Sequence, residues 1–583
     1  TVSVLYCQRE AEKPLDSNSI QRSSTMRRAT TAAVTLLVLA AVAATVASAE
    51  EQPVYVPIQQ LGSVGTVEGR RKVLDDFASW LRINGMPVAG PSAEDEANLA
   101  VVCSDGPDGE EDCRTPIAAL NADASESATL FSVPRRLMFG EGAAITPELR
   151  QQMDGWATAL NEAAKNGDSE SRRTLRSLQH HHGLPVILSL LYETYVVGNA
   201  SGWAPWIATL PTEKEIKEQS ALFVTKEAAD CLDISGRRLW RAMRRGVKSV
   251  QGLVKDFCLH VNRETIKQRP DAKGVDISKV QITEGSGCYF SPSKINWAFA
   301  LVGARLHRVS NRFTASIMPF VDMLPYHPRP NVAPGVVHYA GPDGEIDPDV
   351  GMISPPTEKH QPATIDFIAG SALKAGDPLS FRTRFFEPID ALLQLGYHRA
   401  EHFESGMPAL IAWDTAAAEA LDARNCSTDP NANRIHPDGT FDDAMIACAE
   451  LHVTRGSTDE ETASLRAQLS IGQVSQVTIG AHDFLASHAK LALGEIASKE
   501  THPRCYDPKR GPVARAFAEH NTETRRIFAL FAERVAERRA QKVEVQQAID
   551  AAVERADEQE KQAKAAASSG DDEAPPAADN AEL

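Results

Sequence analysis

The chain has 583 residues, 43% hydrophobic and 24% charged, and its 61 Lys and Arg against 78 Asp and Glu give a formal net charge of −17. That length exceeds one ordinary domain and suits two or three. So acidic a chain is a poor non-specific ligand for nucleic acid, whose binding begins with Lys and Arg meeting phosphate. Proteins, peptides or small molecules are the expected partners.

Met26-Arg27-Arg28 opens the apolar run TTAAVTLLVLAAVAATVASA, closed by Ala47-Ser48-Ala49 and followed by Glu50-Glu51. A charged start, a short apolar stretch and a small-x-small site predict a signal peptide over 26–49. Met26 reads as the initiator, and residues 1–25 of the leader (1–49) as an over-extension. The run is short for a membrane helix, so no stable span is expected after cleavage. The secretory pathway or secretion is the expected destination. An Arg-bearing, acid-free leader also admits a mitochondrion or plastid. Without Cys7 in the leader, eight of the nine cysteines remain, an even number. Cys103 with Cys113, and Cys426 with Cys448, flank turn-rich stretches and can close local loops as disulfides; buried free thiols are the alternative.

After the leader, VLDDFASWLRING has helical spacing and a Gly stop. LAVVCS and TLFSVP read as short strands. From 146 to about 273 the pattern is helical, with LPVILSLLYETYVVG apolar nearly all round and so a buried helix. The Arg cluster in SGRRLWRAMRRGVK reads as a solvated helix face. Residues 275–400 predict short strands and Pro/Gly turns. Beyond 405 the chain is helical again, with MPALIAWDTAAAEALDAR, HDFLASHAKLALGEIA and one long helix from VARAF to KQAK. The acidic tail, 546–583, ends in a segment of disordered composition.

His398 to His402, HRAEH, matches the H-x-x-E-H pattern of inverted zinc peptidases. On a helix the two His would share a face and Glu401 could polarise a water. The third ligand is missing: SIGQVSQVTIG, where it would be sought, has no acid. A surface or loop His pair is the plainer reading, and no metal is assigned. QHHHG places His180–His182 in succession, about a quarter-turn apart on a helix, which reads as solvated histidines ahead of the buried helix.

Five stretches in order carry more weight: TLFSVPRRLMF (129–139), LPVILSLLYETYVVGNASGWAPWIATLP (184–211), INWAFALVGARLHRVS (295–310), SIMPFVDMLPYHPRP (316–330) and GDPLSFRTRFFEPIDALLQLGYH (376–398). Their order resembles the SET-domain proteins of the Rubisco-methyltransferase and histidine-methyltransferase type. The resemblance implies an α+β fold: a SET-like β core over 50–400 with a helical insert at about 146–273, then an all-α substrate-binding-like domain over 405–545. It implies S-adenosylmethionine as cofactor and protein-lysine or -histidine N-methylation as the reaction. Arg114, Arg305, Asp322 and His327 fall at cofactor-binding positions, and Tyr397 or Tyr326 would serve as the catalytic tyrosine.

The departures fall on the chemistry. The cofactor loop's glycines are replaced in Cys113-Arg114-Thr115. Ala304 stands for Ser before Arg305. Asp322-Met323-Leu324 begins the family's Asp-Met-x-Asn-His, but Pro325 occupies the Asn position and Tyr326-His327 is out of register. The family's catalytic tyrosine falls at about Thr383, which cannot reach where a phenol reaches, and Pro325 cannot donate the hydrogen bonds of an Asn side chain. The expected function is a SET-fold protein without methyltransferase activity, binding a protein or peptide or acting as a scaffold. The alternative is a divergent S-adenosylmethionine-dependent methyltransferase, and a metallopeptidase is the remote one.

Overall fold

The computed structural model describes residues 56–568 except 93–96, 106–110, 141–144, 270–287, 308–315, 342–344, 348–360, 383–387, 396–399, 405, 410–425, 427–432, 455–459, most of 461–476, 501–504 and 506–511. Two compact units emerge. The first takes in 56–217, 242–326 and 330–383; the second takes in 218–241, 327–329 and 384–568. The leader, the end of the tail and MPALIAWDTAAAEALDAR beyond its first three residues lie outside the described residues.

In the first unit, α1 (Val67–Ile83) starts at Thr66, whose side chain accepts from the Gly69 N–H, and buries Leu74, Phe77 and Leu81 along one face. It stops before Gly85, at φ 84°, where a side chain would be strained. Three strands follow: β1 (Val88–Ala89), β2 (Leu99–Asp105) and β3 (Glu111–Leu120), in the order β1-β2-β3. The antiparallel β2–β3 pair is stapled by a Cys103–Cys113 disulfide. Next come β4 (Thr129–Pro134), β5 (Phe139–Gly140), β6 (Ser316–Ile317), β7 (Val332–Ala340), β8 (Ile346–Asp347) and β9 (Gln361–Ala369). The larger sheet runs β4-β9-β7-β8, all antiparallel. Strand alternation sends Phe131, Val133, Ile365 and Phe367 into the core. Ser132, Asp366 and His338 form a row on the other face. Ser132 Oγ donates to Asp366 Oδ1 at 2.6 Å, and His338 Nε2 lies 2.8 Å from Asp366 Oδ2.

The helical segment comprises α2 (Pro147–Lys165), α3 (Ser169–Gln179), α4 (Leu184–Tyr192) and α5 (Ile234–Gln268). Thr146 and Asp168 cap α2 and α3 through their side chains. As its composition predicts, α4 is buried nearly all round. His180 ends α3, and His180 and His182 are exposed as expected. His181 departs from that reading: it is half-buried, its Nε2 lies 2.9 Å from Ser249 Oγ, and burial pushes its pKa down. A second departure is α6 (Pro292–Arg305), a helix inside the stretch that predicted strands and turns. Ser291 caps it, Pro292 occupies its first position, and Ile295, Ala298, Leu301 and Val302 recur at helical spacing. A disulfide joins Cys258 on α5 to Cys288.

The second unit holds α7 (Pro388–Leu395), β10 (Met407–Pro408), β11 (Arg434–Ile435), α8 (Asp443–Val453), α9 (Ile479–Glu500) and α10 (Pro512–Ser568). Its core gathers Met445, Leu485, Phe528 and Phe531 among others. Disulfides join Cys231 to Cys505 and Cys426 to Cys448. Of the four disulfides, the two local ones are the pairs the sequence suggested. Disulfides persist in oxidising compartments. Among the described residues, no helix is long and apolar enough to cross a membrane. On α5, Arg238, Arg241 and Arg245 are exposed, as the solvated-face reading expects, whereas Arg237 is ion-paired with Glu495.

Asp233 caps α5, accepting from the Gly236 N–H at 2.6 Å, and is 4% exposed. Burial, opposed by that N–H, supported by nearby Glu495 and opposed by Arg237, pushes its pKa up to about 6. A carboxyl raised in the folded state favours folding when protonated. That contribution is complete below the ordinary value of 3.8 and is lost as pH rises through about 6. Asn also caps helices well. Asp233→Asn is therefore expected to raise the unfolding free energy at pH 7.5 by about 2–3 kcal/mol and to leave pH 4 nearly unchanged. Thermal melts across that range check this; an equal shift at both ends would contradict it.

Candidate functional site

Parts of all five stretches set apart in the sequence meet inside the first unit, around Asp322; residues 327–329 of the fourth and the fifth beyond 383 belong to the second unit. The local device is Phe320, a fully buried side chain on a backbone with φ 74° and ψ −51°. A non-glycine residue there is strained by about 1–3 kcal/mol and persists only where packing fixes it. Phe131 of β4 supplies that packing, edge-on at 5.3 Å. The bend leads into a short 3-10 turn, Val321–Met323, and the Asp322 N–H donates back to Met318 O at 2.9 Å.

The Asp322 side chain is 0% exposed. Its Oδ2 accepts from Arg305 Nη1 at 2.9 Å and from Trp206 Nε1 at 3.3 Å. The same Arg305 nitrogen reaches the Asp322 carbonyl at 3.3 Å. Oδ1 is buried and has no hydrogen-bond partner among the described residues. Burial pushes the carboxyl's pKa up, and the Arg305 guanidinium pulls against it. Arg305 ends α6 and keeps 23% of its side chain exposed.

The donors are held from behind. Trp206 sits in a helical turn, Ala204–Ile207, with Phe139 at 4.9 Å. Trp297 on α6 donates from Nε1 to Pro211 O at 2.7 Å, tying the third stretch to the second. Phe381 closes the other side: its N–H donates to Pro325 O at 3.0 Å, and its ring meets Phe367 at 5.5 Å and His307 at 5.4 Å. Two residues carried no role in the sequence. Trp206 is the second donor to Asp322. Glu193, in the π-turn Glu193–Val197 after α4, is 4% exposed and accepts from Ser201 Oγ at 2.6 Å. Both sit in the quoted motif LLYETYVVGNASGWAPWIATLP, but nothing in a sequence says which acid an indole reaches.

Arg305 and Asp322 are thus brought together. Tyr326 is buried and pairs in a β-bridge with Phe381. His327 is half-buried and bonds locally, its Nδ1 2.7 Å from Arg329 O. Arg114 lies in β3, but its side chain is outside the described residues, as are Tyr397, His398, Thr383 and Arg384. The described part of HRAEH is a 3-10 turn, Ala400–Phe403, with Glu401 exposed and His402 buried. Among the described residues no three His, Cys, Asp or Glu converge as metal ligands.

The resemblance implies S-adenosylmethionine, and among the described residues Asp322 and Pro325 do not fit it. Asp322 has no surface to offer a ligand. Pro325 is exposed with no donor to give. Arg305 keeps reach toward solvent, but one of its nitrogens is already held by Asp322.

No protein-family model and no curated protein matches the sequence. Solved structures to which the chain is similar include the SET domain of LSMT bound to methyl-lysine and AdoHcy, at 16% identity and TM-score 0.47, covering 82% of this chain and 93% of that one. Another is Rubisco LSMT bound to AdoMet, at 15% identity and TM-score 0.42, with the same coverage of both chains.

Proposed function

We propose that this chain is a SET-fold protein that binds a protein or peptide partner, or scaffolds a complex, and no longer transfers methyl groups. One observation carries this reading. At the expected cofactor position, Asp322 is sealed beneath Arg305 and Trp206, which both donate to its Oδ2, and it serves to hold the fold. The four disulfides support work in an oxidising compartment, and the signal peptide expected from the sequence favours the secretory pathway or secretion. Incubation with methyl-labelled S-adenosylmethionine and protein or peptide substrates rich in Lys and His is expected to give no label above the protein-free control. Label on any Lys or His would overturn the proposal.

The second reading, an active lysine or histidine N-methyltransferase, is favoured by the partial exposure of Arg305. A guanidinium fixed by a buried carboxylate is well placed to take a ligand carboxylate. The labelling experiment separates the two readings.

A further inference from the structure

The second half of α10 stands apart from the core of its own unit. Its early residues Phe517, Ile527, Phe528, Phe531 and Val535 are buried, and then burial stops. From Glu544 to Ala565 every side chain is exposed, over about 33 Å of helix. A free-standing helix is expected to be polar all round, yet Val545, Ile549 and Val553 are 52%, 49% and 55% exposed.

The apolar positions follow a rule. Val545, Ile549, Ala552, Ala556, Gln559 and Ala563 recur at alternating steps of four and three. That is the seam of a two-stranded coiled coil, interrupted by one polar residue. Ala548 and Val553 flank the seam on either side and widen it. The charges choose the partner and its direction. With Ile549 as position a, Arg555 falls at g and Glu560 at the next e, and these two meet across a parallel, in-register pair of identical helices. An antiparallel pair sets g against g and e against e, and loses both contacts. Gln559 faces its own copy only in the parallel register, where the two amides can bond. In the single chain Glu560 is bonded to Lys564, an exposed pair of little net stability that opens readily.

We propose that the C-terminal half of α10 is a parallel coiled-coil arm through which a second copy of this chain binds. Sedimentation of the full chain between about 1 and 100 μM is expected to move from the mass of one chain toward that of two. The double variant Val545→Asp with Ile549→Asp should stay at one chain throughout and keep the wild-type melt of the cores. Arg555→Glu alone and Glu560→Arg alone should each weaken the dimer, and the two together should restore it. A wild-type chain that stays single at 100 μM, or a dimer that survives the double Asp variant unchanged, overturns the proposal. A charge swap that fails to restore the dimer overturns the parallel register.

Discussion

Replacing Arg305 by Met is expected to lower the unfolding free energy of the first unit by about 3–5 kcal/mol at pH 7.5, because it leaves the Asp322 carboxylate buried without its cation. Trp206 alone cannot compensate, since it donates a single neutral hydrogen bond to one of the two oxygens. The loss should shrink in acid. Burial already raises the Asp322 pKa, and removing Arg305, which lowers it, raises it further. Below that value the carboxyl is neutral and needs no counter-ion; above it the full penalty returns. The double variant Arg305→Met with Asp322→Asn should recover most of the loss, because a buried pair removed as a pair is far less damaging than one partner removed. Urea titrations at pH 7.5 and pH 4.5 check this. A single variant as stable as wild type at pH 7.5 would mean that the pair is not structural.

The second large effect concerns Cys231 and Cys505. They are 274 residues apart and lie within the same unit, so their bond closes a long loop in the unfolded chain. On the chain-entropy account a closure of that order stabilises by up to about 5 kcal/mol, and the nearby Asn521 Nδ2, which donates to Cys231 O at 2.8 Å, depends on the same placement. The variant Cys231→Ser with Cys505→Ser is expected to melt roughly 10 °C lower in the second unit. Cys103→Ser with Cys113→Ser closes a loop of separation only 10 and should cost much less. Calorimetry beside non-reducing peptide maps gives the comparison. Equal losses for the two pairs would contradict the loop-length argument.

Much of the architecture was legible in periodicity and punctuation. TLFSVP forms β4 over Thr129–Pro134, LPVILSLLY forms the buried α4, and the long terminal pattern forms one helix, Pro512–Ser568. These are segments where local pattern and tertiary packing agree. The miss at α6 has a local cause: Ser291-Pro292 is a helix-start signal, but it sits in a region crowded with turn residues, and the turns dominated the reading. Likewise His181 reads as solvated until Ser249, on another helix, is placed beside it. The disulfides follow the same line. Local pairs can be guessed from flanking turns, whereas Cys231–Cys505 depends on how distant segments pack.

At the site, the sequence pointed to Arg305 and Asp322 but not to their relation. It marked both as cofactor contacts. Side by side they form an ion pair with its carboxylate buried, because the strained backbone at Phe320 turns Asp322 inward and Trp206 covers it. Neither a backbone angle nor a burial direction is written in residue order. Pro325 was legible as a loss in the sequence alone, since no proline can supply the hydrogen bonds of an asparagine.

Calorimetric titration of the full, oxidised chain with S-adenosylmethionine, and then with S-adenosylhomocysteine, tests the central claim most directly. The account predicts no saturable heat up to millimolar ligand and no rise in melting temperature, because a ligand that does not bind the native state cannot stabilise it. Saturable binding of either compound, abolished by Arg305→Lys while the fold is retained, would contradict it and restore the methyltransferase reading.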